Sequence, residues 1–140
     1  MKTRRSGLLA VAIVALCAPS LGAHHSFAAE YDANKPITLR GKVTSMVWSN
    51  PHAWIYVDVK GSDGKVVNWA IETGNPNGLY RRGWRRTDMP SGAELTIEGY
   101  LAKDGTATVN AANITLPDGR RLFAGSSGTG APSDLTATGR

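Results

Sequence analysis

The sequence is nearly devoid of cysteine, poor in histidine, and lacks the short motifs of common catalytic sites. Its one cysteine, Cys17, excludes an intrachain disulfide and a zinc site built from several thiolates. No G-x-S-x-G, H-E-x-x-H or glycine-rich phosphate loop is present. Of the three histidines, two are adjacent near the N-terminus, where they make a poor platform for a general base. We therefore predict that the protein is not an enzyme.

The length and composition limit the chain to one small folded domain. A chain of 140 residues has no room for a separate cofactor domain. Hydrophobic residues make up 41% and charged residues 19%, which favours folding over disorder. The formal net charge of +5 would suit a nucleic-acid partner, so the positions of the basic residues have to be considered.

The first 23 residues have the pattern of a secretory signal peptide. Lys2, Arg4 and Arg5 precede an apolar run over 8–18, which is too short to span a bilayer, and Pro19 and small residues follow. Removing this segment removes Cys17 and leaves 13 basic against 11 acidic residues, or +2. We therefore expect an exported, periplasmic protein that has no membrane anchor after processing and no nucleic-acid partner.

The mature chain divides into three predicted segments. Residues 24–36 form an extended N-terminal arm, residues 37–124 form a β-rich body, and the Gly/Ser/Thr/Ala-rich segment 125–140 forms a disordered tail. Nothing in the composition of the arm or the tail predicts a second domain.

Period-two alternation in the body predicts an all-β fold. The first strand, 37–47, places Leu39, Val43 and Val47 on one face and can bend at Gly41. Asn75 and Pro76 begin a short helix after the third strand, and this helix ends near Gly83. Three strands, a helix and two or three further strands are typical of a small five-to-six-stranded OB-like Greek-key barrel, with the helix between strands 3 and 4.

The three histidines are candidate metal ligands. Cleavage after Ala23 would give His24 a free α-amine beside its imidazole, whereas cleavage after Gly22 would place His25 third in the chain. Both arrangements supply the nitrogen-rich, tetragonal donor set that Cu(II) prefers. His52 could complete the site, or it could bond to backbone at the start of the second strand. Copper is the only cofactor that the sequence predicts.

A second candidate site combines arginines with aromatic residues. Its members are Trp54 and Tyr56 on the outer face of the second strand and the cluster Arg81, Arg82, Arg85 and Arg86. Guanidinium groups are bidentate donors to carboxylate and phosphate, so this surface could bind a small anion, a glycan or a periplasmic protein. The alternative is that Tyr80 and Trp84 close one end of the barrel while the arginines pair with Glu72, Asp88, Glu94 or Glu98.

Four segments together resemble a family of small exported bacterial proteins of unknown function. They are HHSFAAEYD at 24–32, NPHAW at 50–54, LYRRGW at 79–84 and LPDGR at 116–120. The resemblance spans about residues 24–125 and implies a periplasmic protein without an assigned activity, so it supplies no catalytic residue. His24, His25 and His52 lie in matching segments. We expect an exported, non-enzymatic binding protein with a copper site at these histidines, or alternatively a module that binds through the aromatic and arginine surface.

Overall fold

The computed structural model describes residues 26–125 of the chain. The predicted signal peptide, His24, His25 and residues 126–140 lie outside this range. The elements in chain order are α1 (Phe27–Glu30), β1 (Tyr31–Val47), β2 (Trp54–Lys60), β3 (Val66–Glu72), α2 (Pro76–Arg81), a 3-10 turn (Arg86–Asp88), β4 (Glu94–Ala102), β5 (Thr108–Thr115) and β6 (Arg121–Phe123).

The strands form a closed barrel, which confirms the predicted all-β class and the helix between strands 3 and 4. Sheet order is β3-β2-β1-β4-β5-β6, and an additional parallel pairing joins β3 to β5. The long β1 makes this closure possible, because its first part pairs with β4 and its last part with β2. The closed path therefore runs through five strands, and β6 adds a short sixth beside β5.

The barrel interior is filled by the predicted aliphatic face of β2 and by its neighbours. Ile55 and Val57 are at most 1% exposed. A register shift between Val43 and Ser45 inserts one extra residue into β1, and a one-residue insertion reverses the faces that follow it. Met46 therefore packs against the core, and the prediction that Val47 faces the core is wrong, because Val47 is 46% exposed.

Helix α2 closes one end of the barrel. The Asn75 side chain accepts a hydrogen bond from the Gly78 backbone nitrogen at 2.8 Å, as expected of an N-cap. Gly83 follows the helix with φ +96°, and the Trp84 nitrogen donates back to the Leu79 carbonyl, as in a Schellman motif. This reversal places Trp84 in the core, 1% exposed, with its indole nitrogen 2.9 Å from the Phe123 carbonyl oxygen.

A second, smaller core lies on the outer face of β4 and β5. The residues that form it are Phe27, Tyr31, Tyr100 and Ala112. Phe27 stacks on Tyr31 with ring centroids 5.8 Å apart and meets Tyr100 edge-on at 5.3 Å. Segment 27–36, predicted as part of an extended arm, therefore contains α1 and the start of β1. Its aromatic residues fold it onto the barrel.

An irregularity between β4 and β5 supports this second core. The register shifts between Glu98 and Gly99, which leaves Ala112 as an extra residue in β5. The strands approach so closely here that a Cβ on Gly99 would lie 2.3 Å from the Asn110 carbonyl oxygen. None of the helices in segment 26–125 combines the length and apolarity needed to cross a membrane.

Candidate functional site

A buried polar network joins the N-terminal segment to β3. The Tyr31 hydroxyl donates a hydrogen bond to the carboxylate of Glu72, and Glu72 is only 6% exposed. The other carboxylate oxygen of Glu72 lies 3.4 Å from Nδ1 of His52, and that nitrogen is also 3.1 Å from the Thr73 carbonyl oxygen. Because a carbonyl oxygen only accepts hydrogen bonds, this geometry indicates that Nδ1 is the protonated ring nitrogen of His52. The three side chains thus connect the start of β1, the loop before β2 and the end of β3.

The network sits in a locally acidic environment. Burial raises the pKa of the Tyr31 hydroxyl, and its hydrogen bond to Glu72 raises it further. The negative charges of Glu72, Glu30 and Asp104 act in the same direction. Tyr31 therefore stays protonated and remains a hydrogen-bond donor throughout the physiological pH range.

A cleft of about 570 Å³ opens beside the network. Its walls are α1, Trp54 at the start of β2, and the hairpin that connects β4 with β5. Its lining residues are Ala29, Glu30, Tyr31, Trp54, Ala102, Lys103, Asp104, Thr106 and Thr108. The volume lies within the roughly 300–1,000 Å³ of small-molecule sites. Trp54, predicted as a ligand-binding residue, therefore lines a concave surface.

Two of the four predicted arginines contact backbone carbonyls and aromatic rings. Arg82 donates to the Gly125 carbonyl at 2.9 Å and lies over the Phe123 ring, 4.8 Å from its centroid. Arg85 lies over the Tyr80 ring, 4.0 Å from the centroid, and donates to the Trp84 carbonyl at 2.8 Å. These contacts orient both guanidinium groups at the barrel end.

Of the carboxylates proposed to pair with this cluster, three have other partners. Asp88 accepts from the Arg120 side chain at 2.8 Å and, within the cluster, from the backbone nitrogen of Arg85 at 2.7 Å. Glu98 accepts from Arg121 at 2.7 Å, and Glu72 belongs to the buried network. Trp84 closes the barrel end as expected. Tyr80 does not, because it is 59% exposed. Arg81 and Arg86 are exposed at the surface.

The candidate metal ligands fall partly outside the described structure. His24 and His25 precede Ser26, the first described residue, so only His52 can be placed. Segment 26–125 contains no group of three His, Cys, Asp or Glu side chains that could hold a metal ion. His52 does have the carbonyl and carboxylate contacts at one ring nitrogen that orient metal-binding histidines in proteins.

Comparison with known proteins places the chain in a family. The model described as "Family of unknown function (DUF6152)" matches residues 10–111. The chain belongs to this family. No curated protein and no solved structure matches it. In this DUF6152 member the matched range includes Tyr31, His52, Trp54 and Glu72, so both the buried network and part of the cleft lie within it.

Sequence reasoning missed two members of the network. The sequence predicts Glu72 only as a possible partner of the arginines, and it predicts Tyr31 only as part of the N-terminal arm. The available signal was the outward face of β2: His52 and Trp54 alternate with core residues, and Glu72 lies opposite Trp54 in the register. An acidic residue opposite an outward aromatic residue, together with an aromatic-rich N-terminal segment, would have suggested a covered surface at this position.

Proposed function

We propose that this DUF6152 member is an exported, non-enzymatic binding protein that takes up Cu(II) through His24 and His25, with His52 available as a third imidazole. The observation that carries the proposal is the docking of Phe27, which is only 4% exposed. It fixes the chain two residues after His25 beside the Tyr31 ring, whose hydroxyl bonds to Glu72. Glu72 in turn contacts His52.

Covalent geometry limits how far the N-terminal histidines can lie from Phe27. Residues in a chain span at most about 3.3–3.6 Å each, so the α-carbons of His24 and Phe27 are at most roughly 11 Å apart. Phe27 packs on the Tyr31 ring, whose hydroxyl bonds to Glu72. The contacts of His52 Nδ1 with Thr73 and Glu72 orient its ring in the way that is typical of metal-binding histidines.

The first experiment determines the processed N-terminus by mass spectrometry and titrates the purified protein with Cu(II). Substituting His24→Ala and His25→Ala together should weaken copper binding by more than about 100-fold, because both coordination modes lose at least one imidazole donor. Lys35→Ala is the matched control, since Lys35 is exposed and lies in the same N-terminal region. Copper binding that is as tight in the double variant as in the wild type would refute the proposal.

His52→Ala separates the two coordination modes. If the protein begins at His24 and His52 supplies the third nitrogen after the α-amine and the His24 imidazole, the variant should lose affinity. If the protein begins at Ala23, the amine, two amide nitrogens and the His25 imidazole complete the site, and the variant should bind as the wild type does. In both modes affinity should fall below about pH 7, where the α-amine is protonated.

A second candidate function is anion binding at the arginine cluster. The supporting observation is the position of Arg85, which is stacked on the exposed Tyr80 ring and flanked by the exposed Arg81 and Arg86. Arginines ordered in this way suit a small anion or an acidic protein partner. Binding should then be sensitive to salt, be lost in Arg81→Ala/Arg85→Ala, and be unchanged when the N-terminal histidines are replaced.

A further inference from the structure

We propose that the cleft beside Trp54 is a binding site for a neutral oligosaccharide, independent of both the copper site and the arginine cluster. The cleft combines one aromatic platform with carboxylates and hydroxyls. Trp54 lines it together with Tyr31, and Glu30, Asp104, Thr106 and Thr108 supply the polar groups. A sugar presents the complementary surface, because its CH faces stack on an aromatic ring and its hydroxyls donate to carboxylate oxygens.

The walls of the cleft are fixed in position. The Lys103 ammonium donates to the Ala28 carbonyl at 2.6 Å, and the Lys103 backbone nitrogen donates to the Glu30 carbonyl at 2.8 Å. These two bonds tie α1 to the β4–β5 hairpin across the cleft. A preformed site loses little freedom on binding, which favours a ligand whose individual contacts are weak, such as a sugar.

The polar groups of the hairpin are also oriented. Oδ1 of Asp104 accepts from the backbone nitrogen of Thr106 at 2.9 Å and from its hydroxyl at 2.7 Å. These bonds lower the pKa of the Asp104 carboxyl, which is therefore ionised at neutral pH. Oδ2 takes part in neither bond, so it is the oxygen that can accept from ligand hydroxyls.

The charge of the cleft excludes anionic ligands. Among the described residues that line it, Glu30 and Asp104 carry negative charge, and the Lys103 ammonium is directed to the Ala28 carbonyl. Nucleic acids and acidic glycans would be repelled. An organic cation is less favoured than a neutral sugar, because quaternary ammonium sites are cages of several aromatic rings. Here Trp54 is the one aromatic platform besides the hydrogen-bonded Tyr31.

The experiment measures binding of cellotriose, maltotriose and tri-N-acetylchitotriose to the purified full chain by saturation-transfer NMR and calorimetry. We expect at least one of them to bind, about tenfold more weakly to Trp54→Ala and several-fold more weakly to Asp104→Asn. Trp54→Phe keeps a smaller ring and should lose less than Trp54→Ala. Tyr80→Ala is the matched control, because it removes an exposed aromatic side chain outside the cleft.

Three results would overturn the proposal. The first is that no trisaccharide binds up to about 10 mM. The second is that Trp54→Ala binds as well as the wild type does, when circular dichroism shows that both are folded. The third is that spermidine saturates the cleft and no trisaccharide does. The His24→Ala/His25→Ala variant should bind the trisaccharide as the wild type does. The two proposals can therefore fail separately. A protein that binds sugar but not copper contradicts only the proposed copper site, and one that binds copper but not sugar contradicts only the proposed sugar site.

Discussion

Replacing Tyr31 with phenylalanine removes one hydroxyl from the contact between the N-terminal segment and β3. The ring, with its packing on Phe27, is kept, while Glu72 loses the donor that faces it in a site only 6% exposed. Hydrogen bonds to charged groups contribute about 1.5–3 kcal/mol. We expect Tyr31→Phe to lower the free energy of unfolding at pH 7 by about 2 kcal/mol, which is roughly 10 °C in Tm for a domain of this size.

The same substitution should change how stability depends on pH. Because the folded state raises the pKa of Tyr31 above its unfolded value of about 10, the folded chain keeps a proton that the unfolded chain loses. The stabilisation is complete below about pH 10. Above it, the unfolding free energy of the wild type should fall by at most about 1.4 kcal/mol per pH unit. Tyr31→Phe lacks this contribution, and only the smaller effect of Tyr100, whose pKa burial also raises, remains.

Urea denaturation followed by tryptophan fluorescence, repeated from pH 7 to 11, gives the required comparison. The difference in stability between the wild type and Tyr31→Phe should shrink as the pH rises above 10. Tyr56→Phe is the matched control, because it removes a hydroxyl from another tyrosine of the outer surface and should change stability by no more than about 0.5 kcal/mol. A wild-type advantage that stays constant up to pH 11 would refute the assignment of the hydroxyl to Glu72.

Three further substitutions test the architecture. Trp84→Ala should destabilise the protein by about 3–5 kcal/mol in urea denaturation, whereas Tyr80→Ala should change stability by no more than about 0.5 kcal/mol; equal effects would contradict the assignment of Trp84 as the closure of the barrel end. Gly99→Ala should cost more than about 2 kcal/mol in the same assay, because its Cβ would collide with the Asn110 carbonyl, and a neutral result would contradict the close approach. Phe27→Ala should detach α1, so that limited proteolysis cuts before β1 much faster than in the wild type, and unchanged cleavage would show that Phe27 does not anchor the segment.

Local sequence rules predicted most of the barrel. Alternation located β2 through Ile55 and Val57, and the Asn75 cap and Gly83 marked both ends of α2. These signals suffice because each is a property of a few neighbouring residues. The face of Val47 could not be predicted, because the extra residue in β1 is fixed by pairing with β2, and nothing local marks it.

The candidate site was less predictable, because it depends on contacts across the whole chain. Tyr31 and Glu72 are 41 residues apart, and neither belongs to a recognisable motif. The contact of Tyr31 with Glu72 forms only once the N-terminal segment folds onto the barrel, where Phe27 packs against Tyr100. The arginine cluster was visible in sequence, but its partners were not, since backbone carbonyls and rings leave no charge pattern.

Barrel closure determines when this chain can become stable. The start of β1 pairs with the end of β4, where Tyr31 lies opposite Ala102, and β3 meets β5 at Glu72 and Asn110. Contacts so distant in sequence form slowly, because a long loop must be closed before they contribute. A chain emerging from the ribosome would remain unfolded until roughly three quarters of it had been made. If the chain is exported, as we propose, this delay is an advantage, since a translocon that accepts only extended polypeptide would meet a segment that cannot yet fold.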